Sequence, residues 1–283
     1  MINYVTNSDL CDIVRANIHK IPHDIDGVIG VPRGGLFVAV IVSEFLNVPL
    51  YSVESFIRGE TLGAGKAGEG FRPTHYGKYA VIDDSVELGG TMSQVKELFA
   101  NIPGEFVYVA AICENSDVQG CVDIVLEHVD EFRLFELNLF RIGLVERMIL
   151  DIDGVLCENP RHGLDLDEGA YVDFILHTRP RFPVLYSPLA LCTSRLLKYS
   201  EPTIKWLCDN NISYQNLYRL DIGSVEEKMR LIDSPEVTDM KATVYNMHPE
   251  AILFIESDKS EAEHIFNLTG RPVLCTDTNT MIQ

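Results

Sequence analysis

The sequence predicts an α/β protein made of two parallel-sheet domains. Apolar runs of strand length alternate with amphipathic stretches of helix length along the 283 residues, which is the pattern of chains that build parallel sheets covered by helices. The length suits two domains of ordinary size. One series of strands ends near residues 140–146 and a new buried strand begins there, so we expect domains at residues 1–145 and 146–283.

In the first half, apolar runs bounded by turn residues predict five strands, and amphipathic periodicity predicts three helices. We expect the strands at Gly27–Val31, Pro49–Val53, Tyr79–Asp83, Phe106–Cys113 and Val122–Leu126. We expect the helices at Asp9–His19, Leu36–Leu46 and Thr91–Asn101.

The same criteria applied to the second half predict four strands and four helices. The strands are expected at Met148–Ile152, Leu189–Cys192, Ala251–Ile255 and Val273–Cys275. The helices are expected at Glu201–Asn210, Val225–Ile232, Met240–Met247 and Glu261–Leu268.

The composition is that of a globular protein with a strongly acidic surface. The net charge is −19, and both halves share it, with 10 basic and 20 acidic residues in the first and 13 and 22 in the second. Such a surface is a poor partner for nucleic acid or an anionic membrane. The sequence shows no secretion signal, no membrane-spanning apolar run and no closely spaced cysteine pair, so we expect a cytoplasmic protein. A homodimer is compatible with the sequence.

The segment Tyr79–Thr91, YAVIDDSVELGGT, predicts a phosphate-binding loop. A strand delivers two carboxylates, Asp83 and Asp84, before a glycine pair and the start of a helix. Backbone amides of such a loop converge on an anion, and the helix N-terminus adds positive potential. A plain strand-to-helix turn capped by Thr91 is the structural alternative.

This segment resembles the phosphoribosyl pyrophosphate (PRPP) signature of type I phosphoribosyltransferases. The resemblance implies that PRPP is bound by one run of residues, namely Asp83, Asp84, Glu87, Leu88, Gly89, Gly90 and Thr91. Leu88 stands where the family usually has Thr, which removes one hydroxyl contact to phosphate. A second loop, in VIGVPRGG, matches the family's pyrophosphate loop and implies that Arg33, Gly34 and Gly35 hold the diphosphate.

Two further segments fit the same family. The glycine-rich stretch Phe56–Tyr76 matches the position of a flexible loop that closes over the reaction, so Lys66 and Arg72 are expected to bring charge to the departing pyrophosphate. A mobile, solvated hairpin is the alternative. The base would be recognised by a small hood, for which Glu114–Val122 and Phe132–Phe140 are candidates.

In the second half, the segment MILDIDGVLC places Asp151 and Asp153 at the end of a buried strand. It resembles the first motif of the haloacid dehalogenase superfamily, and that resemblance implies a Rossmann-like fold with a minimal cap. It also implies that Asp151 is a nucleophile that forms an aspartyl-phosphate and that Asp153 is the general acid and base. A turn or metal-binding pair at a strand end is the alternative.

The remaining superfamily motifs follow in order. Thr193 would contact the transferring phosphoryl group with help from Arg195, and Lys241, with Lys228 as runner-up, would hold the nucleophile. The last motif is irregular, because Glu256-Ser257-Asp258 replaces the usual acidic pair. The resemblance therefore implies an Mg²⁺ site made of Asp151, Asp153, Glu256 and Asp258, with Glu261 in reserve.

Three functional hypotheses follow from these motifs. The first is a bifunctional enzyme that transfers a phosphoribosyl group between PRPP and a nitrogenous base and hydrolyses a phosphomonoester, with Mg²⁺ as cofactor and a base or nucleotide as second substrate. The second is a PRPP-binding sensor that regulates the phosphatase or another protein. The third is an active transferase beside a degenerate phosphatase, as Glu256-Ser257 suggests.

Overall fold

The structure is a computed structural model that describes residues 2–63, 76–114, 120–129, 132–221 and 235–283. The chain forms two compact units. The first unit is Asn3–Glu136, and the second contains Ile2 and Leu137–Gln283. The expected boundary at residues 145 and 146 stays a prediction. In the described part of the chain, every helix is too short or too polar to cross a bilayer.

The described residues of the first unit contain seven strands in two parallel sheets. The strands are β1 (Asn3–Val5), β2 (Gly27–Gly30), β3 (Leu50–Ser52), β4 (Lys78–Val86), β5 (Glu105–Cys113), β6 (Ile124–His128) and β7 (Arg133–Phe135). The main sheet has the order β3-β2-β4-β5-β6, and β1 pairs with β7 in a separate two-stranded sheet. The order of the main sheet reverses direction between β2 and β4.

Four helices of the first unit pack on this sheet among the described residues: α1 (Asn7–Asn17), α2 (Gly34–Leu46), α3 (Val53–Ile57) and α4 (Gly90–Phe99). Thr6 and Asp9 form a reciprocal capping box that fixes the start of α1. Helix α2 buries Val38, Ala39 and Val42 against β2 and β4. A second core, built around Phe56 and Phe99, packs on the other side of the strands.

The second unit is built on a six-stranded sheet of the described residues. Its strands are β8 (Met148–Leu150), β9 (Ala190–Leu196), β10 (Leu217–Leu220), β11 (Leu253–Glu256), β12 (Val273–Cys275) and β13 (Thr280–Ile282). The order is β10-β9-β8-β11-β12-β13, and all neighbours are parallel except β12 and β13. The chain therefore starts at the sheet centre and reverses direction between β8 and β11.

The helices described in the second unit are α5 (Glu168–His177), α6 (Ser200–Asp209), α7 (Pro235–Met247) and α8 (Lys259–Thr269). Asp258 caps α8, because its side chain accepts a hydrogen bond from the Glu261 amide at 2.9 Å. Short 3₁₀ segments lie at Ile18–Lys20, Glu136–Arg141, Gly143–Arg147, Leu164–Leu166 and Leu197–Tyr199.

The predicted α/β class with parallel sheets is confirmed, and the predicted elements differ from the observed ones mainly in length. Strand β4 continues past Asp83 to Val86, because the backbone goes on pairing with β5 as far as Val86 and Cys113. Strands β1, β7, β10 and β13 and helices α3 and α5 are absent from the prediction, and the predicted helix Val225–Ile232 lies outside the described residues.

Candidate functional site

The two predicted PRPP loops follow β2 and β4, the neighbouring strands between which the sheet order of the first unit reverses. Ligands of open α/β sheets bind outside the carboxyl ends of the strands at such a reversal. The loop 31–35 leads from β2 into α2, and the loop 87–89 leads from β4 into α4. The topology thus brings both loops to the position where a ligand is expected.

The start of α2 lies against the C-terminal part of β4, and this close approach requires glycine at the first two positions of the helix. A Cβ atom at Gly34 would overlap the Asp84 carboxylate, and one at Gly35 would lie 2.5 Å from the Ile82 carbonyl oxygen. The Val31 amide also donates to the Ile82 carbonyl at 2.8 Å. The peptide bond between Pro32 and Arg33 is cis, and the Arg33 side chain is exposed at the start of α2.

The acidic pair is partly buried between the loops. Asp83 is 8% exposed, and its Oδ1 atom accepts a hydrogen bond from the Asp84 amide at 3.0 Å. Burial, together with the adjacent Asp84 carboxylate, raises the pKa of Asp83 to about 8, although Arg133 opposes this rise. Without a ligand, the pair therefore resists carrying two negative charges.

A cavity of about 290 Å³ opens beside the acidic pair. It is lined by Asp83, Ser85, Val86, Glu87, Leu88, Gly89, Gly90, Thr91, Met92 and Arg133. Gly89 has φ +74°, a left-handed conformation that favours glycine, and it is the N-cap residue directly before α4. The Leu88 side chain is 81% exposed, so the residue that departs from the family pattern points away from the packed core.

Arg133 is a cavity residue that sequence reasoning did not single out, although it lies in the expected hood segment. Glu114 Oε1 accepts a hydrogen bond from the Arg133 backbone amide at 2.8 Å and forms an ion pair with the Arg133 Nη1 atom at 2.7 Å. Its Nη2 atom lies 4.0 Å from Glu87. No local pattern marks this arginine, because Glu114 and Glu87 approach it only after folding. Lys66 and Arg72, like residues 115–119 of the other hood candidate, lie outside the described residues.

The second unit has a cavity of about 320 Å³ at the carboxyl ends of β8, β9 and β11. Its lining contains the predicted residues except Arg195, together with residues of the loop after β8, and the alternative lysine, Lys228, lies outside the described residues. The lining residues are Asp151, Asp153, Asn159, Pro160, Arg161, His162, Gly163, Tyr171, Thr193, Ser194, Lys241, Glu256, Ser257, Asp258, Glu261 and Asp277. His162 is exposed and also lines this cavity.

Lys241 is the centre of this cavity's charge network. Its Nζ atom donates to Asp151 Oδ2 at 2.8 Å, to Glu256 Oε2 at 2.6 Å and to Glu261 Oε2 at 2.6 Å. Lys241 is 1% exposed. Burial alone would lower the pKa of Lys241, but the three carboxylates raise it well above its ordinary value. Burial raises the pKa of Asp151, and it raises the pKa of Glu256 to about 8 against the effect of Lys241.

Asp153 and Asp258 have other partners. Both oxygens of Asp153 accept hydrogen bonds from Arg195, at 3.0 Å from Nε and at 2.6 Å from Nη2, and the arginine is 1% exposed. Asp258 is exposed and caps α8. Thr193 is buried, and its hydroxyl accepts from the Arg195 amide at 3.3 Å.

The predicted Mg²⁺ ligands of this cavity do not form one set. The described carboxylates whose oxygens lie within 4.8 Å of one another are those of Asp151, Glu256 and Glu261. Lys241 hydrogen-bonds to all three of them. The residues present therefore fit an internal ammonium ion better than a divalent metal ion.

Comparison with known proteins gives partial likenesses. No protein-family model matches the chain. The transcriptional regulator GfcR of Methanococcoides burtonii is 26% identical over 113 residues, which are 38% of this chain and 56% of the regulator. The chain thus spans about half the length of this relative.

Solved structures of phosphoribosyltransferases align with about half of this chain. The purine phosphoribosyltransferase of Pyrococcus horikoshii is 22% identical, with a TM-score of 0.36 over 48% of this chain and 93% of that one. The xanthine-guanine-hypoxanthine enzyme of Helicobacter pylori is 12% identical, with a TM-score of 0.37 over 49% and 93%. The orotate enzyme of Aeropyrum pernix is 18% identical, with a TM-score of 0.33 over 44% and 70%. Because these TM-scores are below 0.5, we base the function on the strand order and the site residues of this chain.

Proposed function

We propose that the first unit transfers a phosphoribosyl group between PRPP and a nitrogenous base. The observation that carries this proposal is the close approach of the glycines that begin α2 to Asp83 and Asp84 of β4, beside the strands between which the sheet order reverses. A turn that served only to connect β2 to α2 would not require Gly34 to lie against the Asp84 carboxylate. The shared position of both loops supports one ligand with two phosphate-bearing ends.

The residues of this site have separate roles in the proposed reaction. Amides at the start of α4 and in the loop before it bind one phosphate group, because the first amides of a helix have no partner within the helix. Asp83 and Asp84 accept hydrogen bonds from the ribose hydroxyls. The amides of Gly34 and Gly35 and the Arg33 side chain bind the diphosphate.

Transfer through this site needs positioning and charge stabilisation rather than a nucleophile. The sugar carbon becomes positively charged as its bond to the diphosphate breaks, and nearby carboxylates stabilise that charge. Mg²⁺, when bound with the diphosphate, would neutralise the leaving group. The acidic pair fits such a cation-bound substrate, because a nearby cation would offset the burial and the Asp84 charge that raise the pKa of Asp83.

The test measures base-dependent release of pyrophosphate from PRPP with Mg²⁺ and a panel of bases. The double substitution of Asp83 and Asp84 by Asn is expected to lower kcat/KM at least about a hundredfold, or about 2.7 kcal/mol. Glu97→Gln on the exposed face of α4 is the matched control and should leave the rate unchanged. The absence of pyrophosphate release with every base would contradict transferase activity.

A PRPP-binding regulator is the second candidate function. The partial match to a transcriptional regulator and the exposed Leu88 in place of a phosphate-contacting Thr support it. A regulator would bind PRPP in calorimetry, with loss of binding on substitution of Asp83 and Asp84, but would release no pyrophosphate. Transfer with any base would exclude a role limited to sensing.

The predicted phosphomonoester hydrolysis concerns the second unit and is not part of this proposal. The cavity brings together Asp151, Thr193 and Lys241, which favours aspartyl-phosphate chemistry. The carboxylates that lie closest together, those of Asp151, Glu256 and Glu261, all bond to Lys241 and so do not fit the metal site that this chemistry needs. Phosphate release from aryl or nucleoside phosphates that disappears in Asp151→Asn would show that the hydrolase is active.

A further inference from the structure

The cavity of the second unit contains a cation supplied by the chain itself. The Lys241 ammonium has three N–H donors, and Asp151, Glu256 and Glu261 accept one hydrogen bond each. Lys241 and Glu256 are both 1% exposed, and Asp151 is 5% exposed. The ammonium therefore bonds to the same three oxygens that a metal ion in this cluster would share.

The other oxygens of the two most buried carboxylates are also engaged. Asp151 Oδ1 accepts from the Ile152 amide at 2.6 Å. Glu256 Oε1 accepts from the Ser257 amide at 2.7 Å and from the Asp258 amide at 3.2 Å. A metal ion binding there would compete with amide donors as well as with Lys241, because each carboxylate oxygen has limited lone-pair capacity.

Ser257 lies beside the backbone carbonyl of Asp153 in this cavity. Its hydroxyl donates to the Asp153 carbonyl oxygen at 3.2 Å, and a Cβ at Gly154 would overlap the Ser257 side chain. A divalent metal ion bound to the Asp151 carboxylate would need further oxygen ligands nearby, and this carbonyl is one candidate. Here a neutral hydroxyl occupies the space beside the carbonyl, while Arg195 engages both oxygens of the Asp153 carboxylate.

We infer that Lys241 is the resident cation of this cavity and that Ser257 withholds the oxygen ligand that a divalent metal ion requires. Mg²⁺ demands near-octahedral oxygen coordination and gives up its water reluctantly. The three carboxylates already bond to one ammonium, so they have few free lone pairs with which to coordinate a metal ion. The second unit therefore does not act as a Mg²⁺-dependent phosphatase, whether or not the first unit is a transferase.

Binding of Mn²⁺ alone, followed by the electron paramagnetic resonance signal of the free ion, tests this inference on the full chain. Wild type and Asp151→Asn are expected to give the same binding curve, because neither binds Mn²⁺ in this cavity. Ser257→Asp is expected to add one site at least tenfold tighter than any in wild type, and the added site should disappear in the Ser257→Asp, Asp151→Asn double variant. Ser260→Asp, which adds the same charge at an exposed position of α8 outside the cavity lining, should add none.

A wild-type site that is lost in Asp151→Asn would overturn the inference, as would a folded Ser257→Asp variant that gains no site. The comparison of wild type with Asp151→Asn decides the question even if Ser257→Asp does not fold. A second measurement uses Lys241→Gln, which leaves the three carboxylates without their ammonium. Because Ser257 still withholds its ligand in Lys241→Gln, Mn²⁺ should raise the Tm of the Lys241→Gln, Ser257→Asp double variant more than that of Ser257→Asp, and equal Tm changes in the two would refute the role of Lys241.

Discussion

At the scale of single residues, Asp83 couples the proposed function of the first unit to its stability. Its folded pKa of about 8 lies above the ordinary value of 3.8, so the folded state binds the proton more tightly than the unfolded state does. The favourable contribution of this protonated carboxyl is complete below pH 4 and is lost progressively as the pH rises towards 8. A buried acid of this kind reduces stability at the pH where its charge would be useful for binding sugar hydroxyls.

Asp83→Asn is therefore expected to stabilise the ligand-free protein at pH 8 more than at pH 5. The difference in free energy of unfolding from wild type should grow by more than about 1 kcal/mol between these pH values. Urea unfolding at the two pH values measures it, and Glu97→Gln, at an exposed position of α4, is the matched control. A stability difference that stays constant with pH would mean that Asp83 titrates normally.

At the same scale, substitution of Leu88 by Thr is expected to strengthen the binding of PRPP. Leu88→Thr restores a hydroxyl beside the loop amides, and one added hydrogen bond to a charged phosphate is worth about 1.5 kcal/mol. We expect roughly tenfold tighter binding of PRPP in calorimetry. Leu98→Thr, a change of the same kind at an exposed position of α4, should leave the affinity unchanged. Equal effects of the two substitutions would argue against a phosphate contact at position 88.

At the scale of elements, the start of α2 is defined by its contact with β4. A Cβ at Gly34 would overlap the Asp84 carboxylate, while one at Gly63 would meet nothing within 4 Å. Gly34→Ala is expected to cost about 1–3 kcal/mol of unfolding free energy, which is the usual range for overpacking, and to weaken PRPP binding. Gly63→Ala is the control in urea unfolding and should be close to wild type. A Gly34→Ala variant as stable as wild type would show that the start of α2 and strand β4 can move apart.

Most long elements of the chain could be predicted from sequence, because their periodicity is local. Strand β12 agrees with its expected bounds, and α2 and α6 differ from theirs by one or two residues. Strands β1 and β7 were missed because each has three residues and exists through pairing with a partner about 130 positions away. Strand β10 was missed because its sequence, LYRL, has no clear alternation of polar and apolar residues.

At the scale of the whole molecule, the charge bears on the regulator hypothesis. The net charge of −19 opposes approach to a polyanion, since non-specific DNA affinity depends on cationic contacts to phosphate. We expect no measurable binding to duplex DNA at physiological salt, by fluorescence anisotropy with labelled DNA. Binding that persists as salt is raised would show a specific site and would favour direct transcriptional regulation.

The sequence alone determined the two motif sets, because their chemistry lies in short runs of residues. The acidic pair before a glycine loop, the VPRGG turn and the paired aspartates of DIDG are each contained within a single strand end. These runs also indicated many of the residues that line the two cavities, since parallel strands place their carboxyl ends at one edge of a sheet. Arg33, Gly34, Gly35 and Asp84 are not among the residues that line the first cavity.

Only the tertiary structure decided which charges meet. Lys241 pairs with Asp151 across 90 positions, Arg195 pairs with Asp153 across 42, and the Ser257 hydroxyl reaches the Asp153 carbonyl across 104. No local pattern encodes such pairs, because burial makes an unpaired charge so costly that each group takes whichever partner the packed strands bring within reach. The motifs and the expected contact of Lys241 with the nucleophile were therefore visible in the sequence, whereas the contacts of Lys241 with Glu256 and Glu261 were visible only in the fold.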